Sequence, residues 1–266
     1  MNQTSQPLRG KTALITGSVA GIGHAMADGL AAAGCHIVLH GLDDEALVRP
    51  MQEKMARDHG VQVSYLRADL ADLPAIEGLF ESALARHGAI DVLVNNAVTR
   101  HFAPIEAFPP QAWDKAMAVN ITAAFHTIRL ALPGMRTQGW GRIFNMTSVY
   151  GERGVANRID YVTTKTALLG MTRVVALETL NQGITCNAIC PGSVLTPNID
   201  QRVQALMEEK DLDRDGAERL FLAGKQPTGR FVASSHIADL LVFLCSAAGQ
   251  DITGAMLPVE GGWLAS

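Results

Sequence analysis

Tyr161 and Lys165 stand four residues apart in the run Tyr161-Val162-Thr163-Thr164-Lys165, and Ser148 precedes them. On a helix the two side chains share a face. A lysine ammonium beside a phenol stabilises the phenolate, which turns a weak acid into a usable general base. A solvated helix face carries the same pair without any chemistry, so its meaning depends on the company it keeps.

The elements that must position these residues are legible as an alternation of short apolar runs with longer helical patterns, the signature of βαβ units and a parallel sheet. Strands are predicted at Thr12 to Thr16, His36 to His40, Val61 to Arg67, Val92 to Asn95, Arg142 to Met146, Thr185 to Cys190 and Met256 to Val259. Helical periodicity covers Gly23 to Ala33, Glu45 to His59, Leu73 to His87, Trp113 to Met135, Tyr161 to Asn181 and His236 to Ala247. Glycine follows several of them, where it supplies a left-handed cap. The expected architecture is one α/β domain over residues 1–266, a doubly wound parallel sheet of about seven strands. One segment breaks the rhythm. Asn198 to Gln226 carries a charged patch from Glu208 to Arg214 and follows a strand's carboxyl end, the rim where open α/β sheets bind ligands. It predicts a small helical lid, or a surface hairpin for subunit contacts.

The first strand runs into Thr16-Gly17-Ser18-Val19-Ala20-Gly21-Ile22-Gly23 and then a helix. That context supports a dinucleotide site: Gly17 and Gly21 permit close backbone approach to a pyrophosphate, Gly23 permits helix packing, and the helix N-terminus attracts phosphate.

The spacing T-G-x-x-x-G-x-G resembles the short-chain dehydrogenase/reductase family. The resemblance continues through Asp69, Asn95-Asn96-Ala97, Asn120, Ser148, Tyr161, Lys165 and Pro191-Gly192, in family order across nearly the whole chain. It implies a Rossmann-type fold and a nicotinamide cofactor held by Gly17, Ser18, Gly21, Ile22, Gly23, Asp69, Leu70, Asn96, Ala97, Tyr161, Lys165, Pro191, Gly192, Val194 and Thr196. It also implies that Tyr161 takes the substrate proton, Lys165 assists it and bonds the ribose, Ser148 holds the substrate oxygen and Asn120 supports a water-linked proton path. The second strand ends in His40-Gly41-Leu42-Asp43-Asp44, with acids and no cation for a 2'-phosphate, so NAD is expected, with Asp43 as a candidate ribose contact. The family's N-N-A-G reads Asn95-Asn96-Ala97-Val98 here, which places a β-branched side chain beside the cofactor.

Within the family the chain is most similar to the NAD-dependent D-3-hydroxybutyrate dehydrogenases. Phe108-Pro109, Trp113-Asp114, Ala176-Leu177-Glu178-Thr179, the run Gly183 to Gly192, the lid length and Lys225-Gln226-Pro227 carry this similarity. Those enzymes bind a small carboxylate through two glutamines, a histidine and a lysine. The aligned positions here are Arg100, Tyr150, Arg158 and Arg202. Three guanidiniums in one pocket call for an anion with several oxygens. The expected substrate is a small anionic hydroxy acid: 3-hydroxybutyrate-like, a hydroxy dicarboxylate, or a hydroxy sulfonate or phosphonate. The opposing possibility is that Arg158 and Arg202 are solvated loop and lid charges.

A 266-residue chain with 48% hydrophobic content buries a full core, and a net charge of -4 without basic clusters gives no basis for nucleic acid or an acidic membrane as partner. Cys35, Cys186, Cys190 and Cys245 lack C-x-x-C spacing and read as cytosolic thiols, with no metal site. Met1 to Gly10 is polar, with no signal-peptide core, and no run is long enough to span a membrane, so a cytoplasmic protein is expected. The family and the apolar run Met256 to Trp263 suggest a homotetramer. Two alternatives stand beside this enzyme: a 3-oxoacyl thioester reductase using NADPH, disfavoured by the missing cations near Gly41, and a non-catalytic dinucleotide-sensing protein, disfavoured by the intact Ser148, Tyr161 and Lys165.

Overall fold

The computed structural model describes residues 6–266; of the N-terminal segment Met1–Gly10, residues 1–5 lie outside the described residues. Seven strands, β1 (Thr12–Ile15), β2 (His36–Gly41), β3 (Val63–Arg67), β4 (Val92–Asn95), β5 (Gly141–Met146), β6 (Ile184–Pro191) and β7 (Met256–Val259), form one parallel sheet in the order β3-β2-β1-β4-β5-β6-β7. Each expected strand is present: β4 and β7 have the expected bounds, and those of the other five shift by one or two residues. Their side chains alternate between two cores. Ala13, Ile15, Ile37 and Leu39 face helices α1 (Gly21–Ala32), α2 (Glu45–His59) and α9 (Ser234–Cys245). Leu14, Val38 and Leu93 face α3 (Leu73–His87), α5 (Ala123–Gln138) and α6 (Ile159–Glu178). The strand order reverses between β1 and β4, which opens a crevice at their carboxyl ends.

The helix expected over Trp113 to Met135 is not continuous. It divides into α4 (Pro110–Met117), one wide π turn (Ala118–Thr122) and α5. The turn holds Asn120 at 3% exposure, where its side chain bonds another segment instead of solvent. Gly60 ends α2 at φ 67°, the left-handed cap expected of it.

The segment Asn198 to Gln226 folds as α7 (Pro197–Lys210) and α8 (Arg214–Leu222), with a small core of its own in which Val203, Ala217, Phe221 and Leu222 meet. Buried Gln226 ties its end to the sheet: Oε1 accepts from Ser193 N, and Nε2 donates to Arg230 O at 2.6 Å. The apolar run at the C-terminus packs inward. Leu257 and Val259 join the main core, and Trp263, 7% exposed, lies against Tyr150.

Candidate active site

A cleft of about 670 Å³ opens at the carboxyl ends of β1 and β4, with the N-terminus of α1 on one wall. Helix α1 begins without a side-chain cap and without an acid in its first turn, so its first N–H groups remain for an anion. Gly17, at φ 62°, turns the chain there. A Cβ on Gly23 would overlap the Gly17 carbonyl and come within 2.6 Å of Asn96 Nδ2. Asn96 donates through that nitrogen to Thr16 O at 2.9 Å and Gly17 O at 2.8 Å. These features, an uncapped helix end and a backbone cradle that a side chain would fill, fit a dinucleotide's phosphates.

His40 is a residue that sequence reasoning passed over except as a missing acid. It is 3% exposed and stands under the glycine turn, where Nδ1 accepts from Gly17 N at 3.1 Å. Nε2 therefore carries the proton and donates to Ala68 O at 3.0 Å. Burial pulls this imidazole down from its ordinary 6.5 to about 4, so the neutral tautomer is the native one. Its place at the end of β2, where the family carries an acid, was the available signal.

The expected cofactor residues divide by placement. Gly17, Gly21, Ile22, Gly23, Asp43, Asp69, Leu70, Asn96, Ala97, Pro191, Gly192, Val194 and Thr196 line the cleft, as do Ser148, Tyr161 and Lys165. Ser18 does not. Its hydroxyl is fully buried and accepts from His40 N at 2.9 Å, because the turn needs that bond to dock on β2. Asp69 is exposed, with Oδ1 accepting from Ala71 N at 2.9 Å. Val98 is 43% exposed on the cleft wall, so its branched side chain sits at the opening and not in the core.

On the opposite wall, Ser148 lies two residues past β5 and Tyr161 and Lys165 lie in the first turns of α6. The Lys165 nitrogen is 5.6 Å from the centre of the Tyr161 ring and donates to Met146 O at 2.6 Å. Burial, with a smaller contribution from Arg100, lowers Lys165 from 10.5 to about 8. Asn120 is outside the main cleft. Its amide brackets Thr99, with Oδ1 accepting from Thr99 N and Nδ2 donating to Thr99 O, each at 2.8 Å. A void of about 10 Å³, room for one water, touches both Asn120 and Lys165.

The four expected anion contacts are not equally placed. Arg100 lines the cleft and donates to Asn198 Oδ1 in α7 at 3.1 Å. Arg158 stacks on Phe102 at 4.4 Å, on Tyr150 at 5.5 Å and on Tyr161 at 6.0 Å. Arg202 lies 5.1 Å from the Phe221 ring of the lid. Tyr150 meets Tyr161 edge-on at 6.4 Å. Burial lowers Arg158, with Arg100 and Arg202 adding repulsion, and burial raises Tyr150. Lys225 is a fourth cation that residue-by-residue reasoning did not assign. Its nitrogen is 4.1 Å from the Phe221 ring, and burial followed by Arg202 and Arg158 lowers it. Among the described residues none of these four cations has a carboxylate partner.

Comparison with known proteins agrees with this geometry. Residues 11–206 match the short chain dehydrogenase family. The chain is 43% identical to a D-beta-hydroxybutyrate dehydrogenase of Cupriavidus necator, over 97% of this chain and 99% of that protein. It is 36% identical to the protein of the same name in Rhizobium meliloti, over 96% and 99%. Among solved structures it is similar to L-sorbose reductase of Gluconobacter frateurii complexed with NADPH and L-sorbose, with a TM-score of 0.93 and 30% identity over 99% of this chain and 100% of that one. Sequence, sheet order and cleft together establish that the chain belongs to the short-chain dehydrogenase family of oxidoreductases, which bind a nicotinamide dinucleotide.

Proposed function

We propose that the protein is an NAD-dependent dehydrogenase interconverting a secondary alcohol and a ketone on a small anionic hydroxy acid. The observation that carries this reading is the setting of one ring: Tyr161 has Lys165 Nζ at 5.6 Å and the Arg158 guanidinium at 6.0 Å. Proton transfer and anion recognition then meet at a single side chain.

Tyr161 acts as the general acid/base on the substrate hydroxyl, and Ser148 donates to the same oxygen. Lys165 places positive charge beside the phenol, and its amine, on the cleft lining, would hold the ribose of the cofactor. The bound nicotinamide supplies the hydride acceptor. Asn120 holds the neighbouring Thr99 loop and borders the water-sized void that leads from Lys165. Arg100, Arg158 and Arg202 hold the acid group, because guanidiniums without carboxylate partners are stabilised by an incoming anion. The relatives named for D-beta-hydroxybutyrate support a hydroxy acid; the changed anion contacts favour a hydroxy dicarboxylate, sulfonate or phosphonate over hydroxybutyrate itself.

Asp43, on the cleft wall, and Asp44 favour NAD by opposing a 2'-phosphate. A second reading, a 3-oxoacyl thioester reductase using NADPH, has Arg67 in its favour, since that residue pairs in register with Gly41. A homotetramer in the cytoplasm completes the proposal. Phe125 on α5 and Val174 and Leu177 on α6 are among the large apolar side chains left exposed, none of which lies in the C-terminal run. No helix among the described residues is long and apolar enough to cross a membrane.

The test follows NADH formation with NAD and a panel of 3-hydroxybutyrate, hydroxy dicarboxylates, hydroxy sulfonates and hydroxy phosphonates, with Arg158→Ala and Arg202→Ala run beside the parent. Preference for a multi-oxygen anion, lost in both variants, supports the reading. Efficient turnover of 3-hydroxybutyrate that ignores both arginines overturns the anion pocket, and turnover only with NADP overturns the cofactor choice.

A further inference from the structure

Asp160 is fully buried, and among the described residues it has no cation beside it. A buried carboxylate persists only where hydrogen bonds replace its hydration. Here both oxygens are used. Oδ1 accepts from Tyr161 N at 2.6 Å, and Oδ2 accepts from His101 N at 2.8 Å. The first turn of α6 adds a favourable dipole. The acid thus joins the helix of Tyr161 to the loop that carries Arg100.

Other contacts fasten the same loop. Thr99 is bracketed by the Asn120 amide, Ala103 N donates to Asn157 O at 3.2 Å, and Phe102 lies under Arg158. The two chain neighbours of Arg100 are therefore each held by a buried polar side chain, Thr99 by Asn120 and His101 by Asp160. The Arg100 side chain itself is exposed and touches only the lid residue Asn198 by hydrogen bond. Its position relative to Tyr161 depends on the backbone beneath it.

We propose that Asp160 is a positioning residue that sets Arg100 in register with Tyr161, fixing the distance between the substrate's acid group and its reacting hydroxyl. This rests on Arg100 being an anion contact, as the proposed function has it. Asp160 touches neither substrate nor cofactor; it acts through the loop.

Three measurements test it. In the unaltered protein, amide hydrogen exchange at His101 should be slow for a surface loop and slower than at Phe102; exchange as fast as Phe102 overturns the bond and the proposal with it. Asp160→Asn keeps one acceptor and turns a donor toward one of the two N–H groups, of His101 or Tyr161, so one of the two bonds is lost. It should raise KM for the hydroxy acid about tenfold, an ordinary coupling within a network, while KM for NAD stays unchanged. An equal rise in both constants marks a merely structural role and overturns the proposal. The double variant with Arg100→Gln separates the two layers of inference. If Arg100→Gln alone leaves the hydroxy acid KM unaltered, the anion reading of Arg100 falls. If Arg100→Gln raises KM and Asp160→Asn adds its full effect on top, Arg100 stands as a contact and the positioning role of Asp160 fails. The expected result is that Asp160→Asn adds little once Arg100 is gone.

Discussion

On the β1–α1 side of the cleft, Thr16, Ser18, His40 and Asn96 all bond within the protein, and the turn they support is complete without a ligand. Beside the cleft, at the start of α6 and on the lid, Arg158, Arg202 and Lys225 rest on aromatic rings and lack acids, Arg158 and Lys225 half-buried and Arg202 exposed. The first wall is a finished scaffold whose free groups are backbone N–H; the second holds unpaired positive charge, partly desolvated at Arg158 and Lys225. The first side is distinguished by its shape, the second by its charge. Changes to the first should therefore move folding and cofactor affinity together, and changes to the second should move substrate affinity alone.

The largest expected effect lies where the walls meet. Tyr161→Phe should lower kcat about 10³-fold, within the usual range for a lost acid/base group, with cofactor affinity kept in a fluorescence titration. Next comes the charged wall. Arg158→Ala combined with Arg202→Ala should cost about 10²-fold in kcat/KM for the hydroxy acid, while the melting temperature stays level or rises, because like charges no longer face each other. A matching fall in melting temperature would erase the contrast between the walls. Gly23→Ala tests the scaffold: the Cβ has no room between Gly17 O and Asn96, so thermal stability and NAD affinity should fall together, affinity by about tenfold. The smallest effect comes from pH. His40 is held at about 4 in the folded chain against 6.5 in the unfolded one, so the unfolded state takes up the proton first as pH falls. Stability should be intact above pH 6.5 and decline from there toward pH 4, by about 1 kcal/mol over the first unit. Denaturation midpoints of the parent and His40→Asn at pH 7 and 5.5 check this; the variant should lose less.

The strands were legible because each is a short apolar run between turn signals, and such runs have one place to go in a parallel sheet. That Ser148, Tyr161 and Lys165 would share the cleft was legible because Ser148 follows a strand's carboxyl end and a helix fixes the spacing of Tyr161 and Lys165. His40 and Asp160 were not, since a buried histidine or aspartate is defined by partners distant in sequence, here Gly17, Ala68 and His101. Ser18 shows the converse: its place in the glycine motif suggested a ligand contact, but its hydroxyl serves β2. The break between α4 and α5 was hidden for a related reason. Apolar periodicity over Trp113 to Met135 persists through one wide turn, and nothing local announces that Asn120 will be held by Thr99.

That wide turn carries one residue more than a regular helical turn needs, so everything beyond it is set about 100° round the axis from where an unbroken helix would place it. The slip acts as a phase adjuster between two jobs. Upstream, α4 presents Ala116 inward; downstream, Thr127, Ile128 and Ala131 of α5 reach the sheet. Straightening the turn with all its residues kept would rotate the whole apolar stripe of α5 away from the strands, whereas deleting a single residue between Ala118 and Thr122 would restore an ordinary helix with that stripe still facing them. What such a deletion would remove is the wide turn itself, and with it the setting from which Asn120 reaches Thr99, although the segment looks in sequence like any other stretch of helix.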